Sequence, residues 1–428
     1  MQLYFAEPYR LVPPYQSTFW CRLVAPFLPA FLRRHLGVRR WEVRRGDQLR
    51  EALRQRTGIL LTSNHCRWAD PVVLAMLGLE AATFFHYLVA QHMFRQGRAF
   101  GWWLNRMGGY SINREAPDRE SVRAGARLLA EATRPLVVFP EGTWYRQNDR
   151  LGPLREGVAM ILRQAARDSE RPLVVLPLAL KYWVLEDPRP VLARRLARLE
   201  ARLGVGPQDQ LALVSRVEVL TAAFLARQEA EHLGTPRSGP IDERRLHLAA
   251  AIVSGLEARH GVGHHDGGLM ERVLQMRRLL VRRLAEAAPR PEDSAAVQRQ
   301  LDHLLLCEGL NSHSHAYLCE RPSLERQTEA VQRLEEIVTG EIERPVAPLG
   351  VLIEVGLPLP VREWLGADGG RRQEGARLVE EIGRRTQRML DGLLAEGPPP
   401  AWHCPPPAEA AGDDLRPAVA AARPPVAP

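Results

Sequence analysis

Ile59-Leu60-Leu61-Thr62-Ser63-Asn64-His65-Cys66-Arg67-Trp68-Ala69-Asp70-Pro71 holds a strand, a turn and a helix start in one short stretch. Ile59–Thr62 is an unpatterned apolar run, the signature of a strand buried on both faces. Asp70-Pro71 reads as a helix beginning, with Asp as N-cap and Pro at the first helical position, and the helix runs over 71–79. His65 follows the strand end, where α/β proteins place their sites. A carboxylate five residues after a histidine, across such a turn, can fold back onto one imidazole nitrogen. The other nitrogen is then placed to act as a general base. His65 and Asp70 are therefore the candidate catalytic pair.

The same alternation extends outward. Residues 84–90, 136–139 and 173–180 read as strands, and 119–133 and 155–167 as helices. Buried runs alternating with helices predict an α/β layer with a mostly parallel sheet and flanking helices. After Pro190 the texture becomes helical, with patterns at 192–203, 211–233, 241–258, 269–287, 295–308 and 323–338. Strand texture returns at Val351–Val361. A lone strand has nothing to pair with unless it rejoins the earlier sheet, so the helices read as an all-helical insertion. The expected organisation is an N-terminal membrane-facing helical segment (1–40), an α/β core (41–190), the helical insertion (191–344), a closing strand and helix (345–396) and a disordered Pro/Ala-rich tail (397–428).

Composition narrows the function. The 428 residues are 45% hydrophobic and 25% charged, which excludes collagen-like and wholly disordered chains. No apolar run reaches the roughly 20 residues needed to span a bilayer, and MQLYFAEPYR lacks a secretory signal pattern. The net charge is +8, and lysine occurs once, at Lys181, so the other 57 basic residues are arginine. A GC-rich genome accounts for much of that excess; affinity for anions is the sharper reading. Acidic residues interleave with the arginines, so no nucleic-acid partner is expected. Five scattered cysteines, Cys21, Cys66, Cys307, Cys319 and Cys404, read as reduced thiols in the cytoplasm, with no metal site. His264-His265-Asp266, His313 and His315 complete no recognisable ligand set. In Ser17–Gly37 apolar pairs recur every four residues beside Arg22, Arg33 and Arg34, with Pro26 and Pro29 breaking the helix. This segment either packs on the core or lies in a membrane interface.

Three further segments carry chemistry. Gly108-Gly109-Tyr110-Ser111-Ile112-Asn113-Arg114 combines close backbone approach with a planar guanidinium suited to phosphate. Phe139-Pro140-Glu141-Gly142-Thr143-Trp144 puts an acid and backbone N–H groups at a strand end, where they can receive an oxyanion. Leu173–Lys181 is an apolar strand whose Pro177 implies a bulge or a sheet edge.

Together and in this order these segments resemble the glycerophospholipid acyltransferase family. Asn64-His65 with Asp70 matches its NHxxxxD block, Gly108–Arg114 its glycine-to-arginine block, and Phe139–Thr143 its FPEGT block. Leu176–Leu180 resembles its fourth block, and Val351–Val361 its closing strand. The resemblance implies fatty acyl transfer from acyl-CoA or acyl carrier protein to a hydroxyl of a lysophospholipid at the membrane surface, foremost 1-acylglycerol 3-phosphate. It needs no cofactor, because a thioester is already activated. It implies His65 as base, Asp70 as its partner, and Arg114, Glu141, Gly142 and Thr143 at the substrate. Trp144 stands where the family usually carries a basic residue. Either Arg146 fills that place, which its position in the same short turn favours, or the acceptor presents less charge. A catalytically silent relative that binds lipid or partners is the rival reading.

Overall fold

The computed structural model describes residues 9–143, 145–263, 267–286, 291–312, 314–341, 345–366 and 368–402. The expectations for residues 1–8, Trp144, His264-His265-Asp266, His313, Cys404 and the tail beyond 402 lie outside the described residues.

One sheet organises the chain. Its strands are β1 (Val38–Arg44), β2 (Gly58–Ser63), β3 (His86–Ala90), β4 (Gly109–Ile112), β5 (Leu136–Val138), β6 (Leu173–Val184), β7 (Leu349–Val355) and β8 (Leu359–Pro360). They lie in the order β1-β7-β6-β2-β5-β3-β4, with β8 beside β6. All neighbouring pairs are parallel except β6 with β7 and with β8. Ile59 and Leu61 of β2 face one core, and Leu60 faces the other, the two-residue period of a strand buried on both sides.

Helices cover both faces. Near the N-terminus, α1 (Phe19–Val24) and α2 (Leu28–His35) are divided by a tight turn holding Pro26, and Pro29 sits in the first turn of α2. α2, α3 (Gly46–Arg54) and α4 (Asp70–Glu80) pack on the Ile59 face. α5 (Gln91–Phe94) and α6 (Arg98–Arg106) follow β3. α7 (Arg119–Glu131) and α8 (Gly157–Asp168) pack on the Leu60 face.

The helical insertion comprises α9 (Arg189–Leu203), α10 (Leu213–Leu233), α11 (Ile241–His260), α12 (Leu269–Glu286), α13 (Pro291–Ser312), α14 (His315–Glu320) and α15 (Leu324–Thr339). It has apolar clusters of its own, one around Leu248 and Met276 and another around Leu196 and Leu334. Between its helices run buried ion pairs: Arg216–Glu200 at 2.8 Å, Arg244–Glu229 at 2.8 Å and Arg272–Glu257 at 2.6 Å. Part of the arginine excess is therefore spent internally rather than offered to a ligand. The chain leaves the sheet at Val184 and returns at Leu349, and these two residues are partners in the β6–β7 ladder. α16 (Val361–Leu365) and α17 (Arg372–Glu396) then close the Leu60 face.

Several expectations are corrected. β1 and β4 carry arginines or glycines where a buried strand shows apolar runs, so the sequence pattern misses both. α14 adds a short seventh helix to the six patterns read in the insertion. Pro177 lies neither in a bulge nor at an edge: β6 is interior, and Pro177 pairs in register with Thr62 of β2. Its carbonyl accepts from Gly356 N–H on the other side, where the partner strand changes from β8 to β7. The absent N–H falls in that gap. Residues 397–402 are not tail, because Trp402 is buried against Leu352 and Leu390.

Candidate active site

Four strand ends deliver the site. His65 lies two residues beyond β2, Glu141 three beyond β5, His92 two beyond β3 and Arg114 two beyond β4. These are carboxyl ends of parallel strands, the edge where open α/β sheets gather their functional loops. Asn64 fixes the His65 turn by pairing its amide with the backbone of Leu180 in β6, at 2.9 and 2.8 Å.

His65 Nδ1 and Asp70 Oδ2 are 2.8 Å apart. The same oxygen accepts the backbone N–H groups of Cys66 and Arg67, each at 2.8 Å. Asp70 Oδ1 accepts from the Tyr182 hydroxyl at 2.6 Å. Asp70 is fully buried, so every one of these donors counts toward keeping its charge. The helix begins at Asp70 with Ala69 as its N-cap, so Asp70 is not the cap expected. Its carboxylate turns back into the preceding turn instead. The His65 ring stacks on Phe139, centroids 4.1 Å apart and planes 21° from parallel. Stacking and the Asp70 bond together fix the imidazole's plane.

Glu141 acts from behind. It is buried; Oε1 accepts the His65 N–H at 2.7 Å and Oε2 the Gly152 N–H at 2.8 Å. Burial pushes its carboxyl up to about 8, against the pull of these two donors. Glu141 thus clamps the His65 turn to the loop after β5, and it is absent from the cavity wall described next. That corrects the expectation of substrate contact. Gly142 does lie on that wall, but its N–H donates to Phe139 O at 3.1 Å and its carbonyl accepts from Arg114 Nη1 at 2.6 Å. Its N–H is therefore committed to a turn and not held for an oxyanion. The turn needs φ +70°, which suits glycine.

A cavity of about 1730 Å³ opens in front of His65. Thr143, Arg114 and His92 lie on its wall near the strand ends, and Met270, Leu306 and Ile337 of the insertion on another side. Phe27, Phe31, Trp68, Phe100 and Trp103 line it while remaining 40–68% exposed, so it opens among aromatic side chains. Trp20 joins the N-terminal helices to α6 through edge contacts with Trp102 and Trp103 at 5.1 and 5.4 Å. Arg146 also reaches the wall, but it is ion-paired with Glu336 of α15 and largely buried. Burial, helped by Arg333, pushes its pKa down to about 9. The expectation that Arg146 replaces the missing basic residue beside Arg114 is not what the fold arranges.

Comparison with known proteins bears on part of the chain. A family model described as Acyltransferase matches residues 44–181. A 1-acyl-sn-glycerol-3-phosphate acyltransferase of Streptococcus pneumoniae (strain ATCC BAA-255 / R6) is 30% identical over 106 residues. That alignment covers 25% of this chain and 37% of the relative's length. Residues 44–181 match an acyltransferase domain, and the chain spans about a third of that relative's length.

Around the His65–Asp70 pair, sequence reasoning misses Tyr182 and His92. Tyr182 stands in an apolar run that reads as core; only the two-residue period, which sets it on the α4 face with Leu178 and Leu180, hints at its aim. His92 sits on a four-residue helix that periodicity cannot detect. Cys66 is an inert thiol: it is buried, burial pushes its pKa well up, and its sulfur accepts from Asn64 at 3.8 Å. Lys181 pairs with Asp149, which also accepts from Arg326 Nε at 2.6 Å, so the lysine ties α15 to the sheet rather than touching the cavity. In the insertion, Glu231, His232 and His303 bring possible metal-ligand atoms within 4.8 Å of one another, with Glu231 exposed and none of them on the cavity wall.

Proposed function

We propose that the protein transfers a fatty acyl group from acyl-CoA or acyl carrier protein to a hydroxyl of a lysophospholipid, foremost 1-acylglycerol 3-phosphate. The observation that carries this is His65, held by the buried Asp70, on the wall of a large, mainly apolar cavity that Arg114 also lines. With Nδ1 held by Asp70, His65 takes the acceptor's hydroxyl proton on Nε2. The hydroxyl oxygen attacks the thioester carbonyl; the tetrahedral intermediate then expels the thiolate, and the proton on His65 passes to that sulfur. Asp70 stabilises the imidazolium formed between these two transfers. Arg114 offers a planar fork to the acceptor phosphate, and the apolar walls take the acyl chains.

The exposed aromatic rim supports docking on a lipid surface as a peripheral protein. Among the described residues no helix is long and apolar enough to cross a membrane. An aromatic rim flanked by Arg22, Arg33 and Arg34 suits an interface where rings enter the acyl boundary and arginines meet headgroups. The test is to incubate purified protein with acyl-CoA and a panel of lysolipids and to identify products by mass spectrometry. Wild type should acylate 1-acylglycerol 3-phosphate, and His65→Ala should lose ~10²- to 10⁴-fold in kcat while melting as wild type does. Normal turnover by His65→Ala would sink the mechanism.

A further inference from the structure

We propose that Arg277, carried by the helical insertion, is a positioning residue for the acceptor's phosphate monoester, setting the turn from which Arg114 reaches the cavity. The inference rests on the lysophospholipid reading and adds which part of the chain completes that site. The turn after β4 is folded locally: Asn113 N–H donates to Asp118 Oδ2 at 2.8 Å, and Glu115 N–H to Asn113 Oδ1 at 2.9 Å. Arg114 and Glu115 then diverge. Arg114 places Nη1 on Gly142 O at 2.6 Å and Nη2 3.5 Å from His92 Nδ1. Glu115 instead accepts from Arg277 Nε of α12 at 2.8 Å, with both side chains more than nine-tenths buried. Arg277 Nη1 also donates to Glu308 of α13.

An ion pair this buried resists breaking, because removing one partner strands the other's charge out of water. The place of the Arg114 turn is therefore dictated by two helices of the insertion, far along the chain. Arg277 is held by two carboxylates and orients the turn, and Arg114, one residue from Glu115, lines the cavity beside His92 and Thr143. Burial, then Arg114 and Arg277, push the His92 pKa down to about 3, so the ring is neutral. With Nδ1 turned to the Arg114 donor, the ring proton lies on Nε2. A phosphate monoester needs more than one donor, and Arg114 with His92 supplies a fork and an N–H on one wall.

Steady-state kinetics of the full chain with acyl-CoA test this, comparing 1-acylglycerol 3-phosphate with monoacylglycerol. Arg277→Gln should raise KM for the phosphorylated acceptor about 10-fold or more, the loss of one well-placed charge-assisted bond. Its kcat, and KM for monoacylglycerol, should move far less, and Arg277→Lys should recover part of the loss. If Arg277→Gln does not fold, Glu115→Gln removes the same bond while Arg277 keeps Glu308, and it must show the same split. Equal effects on both acceptors, or an unchanged KM for the phosphorylated one while Arg114→Ala raises it, overturn the proposal. If Arg114→Ala itself leaves that KM unchanged, the phosphate-monoester reading fails and this proposal falls with it.

Discussion

Asp70 gathers one ring nitrogen, two backbone N–H groups and one phenol on its two oxygens. Such a carboxylate is locked in place, and so is the tautomer of the histidine it holds. Asp70→Asn should lower kcat by about 10²-fold or more, because the amide must set an N–H against donors or lose the ring. Since Asp70 makes no cap bond in its own helix, that loss reads on catalysis and not on helix capping. Tyr182→Phe is a finer probe. It keeps the packed ring, which also lies under the Arg67 guanidinium at 5.2 Å, but leaves Asp70 Oδ1 without its donor. Leaving a buried acceptor unpaired costs about 1–3 kcal/mol. The melting temperature should fall and kcat drop with KM nearly constant; wild-type values for both would dismiss Tyr182 from the machinery.

At the scale of elements, what the sequence makes legible follows from burial. β2, β5 and β6 are apolar throughout because each is covered on both faces, and those strands read directly. β1 alternates arginines with Val38, Trp41 and Val43 because it is an edge strand, so its pattern resembles a surface segment. His65 and Asp70 lie next to the end of β2, which can be read, whereas Arg114 follows β4, which cannot, and stands out only through the glycine-to-arginine motif. The status of Glu141 and Gly142 was not legible, because a turn's hydrogen bonds leave no trace in residue types. Nor could spacing show that α12 and α15 reach the site, since periodicity gives a helix its face but not its partner. The N-terminal helices and α6 yield a prediction at this scale. Phe27 is 68% exposed and Phe31 45% exposed, and burying a phenylalanine is worth roughly 1.5–3 kcal/mol. Phe27→Glu with Phe31→Glu should weaken sedimentation with anionic vesicles at least tenfold; undiminished binding would move the docking face elsewhere.

For the whole molecule, buried titratable groups pull stability in two directions with pH. His86 and His92 are pushed down to about 3, with burial the leading cause. A histidine depressed in the fold contributes stability present above its unfolded value near 6.5 and lost as the pH falls toward 3. Glu141 and Glu329 are raised by burial to about 8 and about 7. Their contribution is complete below the ordinary carboxylate range and is lost as the pH climbs to those values. Between about 4.5 and 6.5 the two pairs oppose each other. His86→Leu removes one of them, so the variant's stability relative to wild type should shift by up to about 1.4 kcal/mol per pH unit in that window. Urea titrations at pH 5, 6 and 7 measure it, and parallel curves would show that His86 stays uncharged for another reason. The β6–β7 ladder has a consequence for how the chain finds this fold. Val184 and Leu349 are register partners on adjacent strands, yet everything between them must be closed into a loop before the pair can form. Compared with a tight hairpin, closing so long a flexible loop costs about 3 kcal/mol more in chain entropy. Helices that collapse early shorten the effective loop, because the packing of α9 against α15, fixed by Arg195 on Glu335, and the Val184 N–H on Glu325 gather both sides of it in advance. Insertion first and sheet second is the order this predicts, with the amides of β7 and β1 the last to gain protection in pulse-labelled hydrogen exchange during refolding.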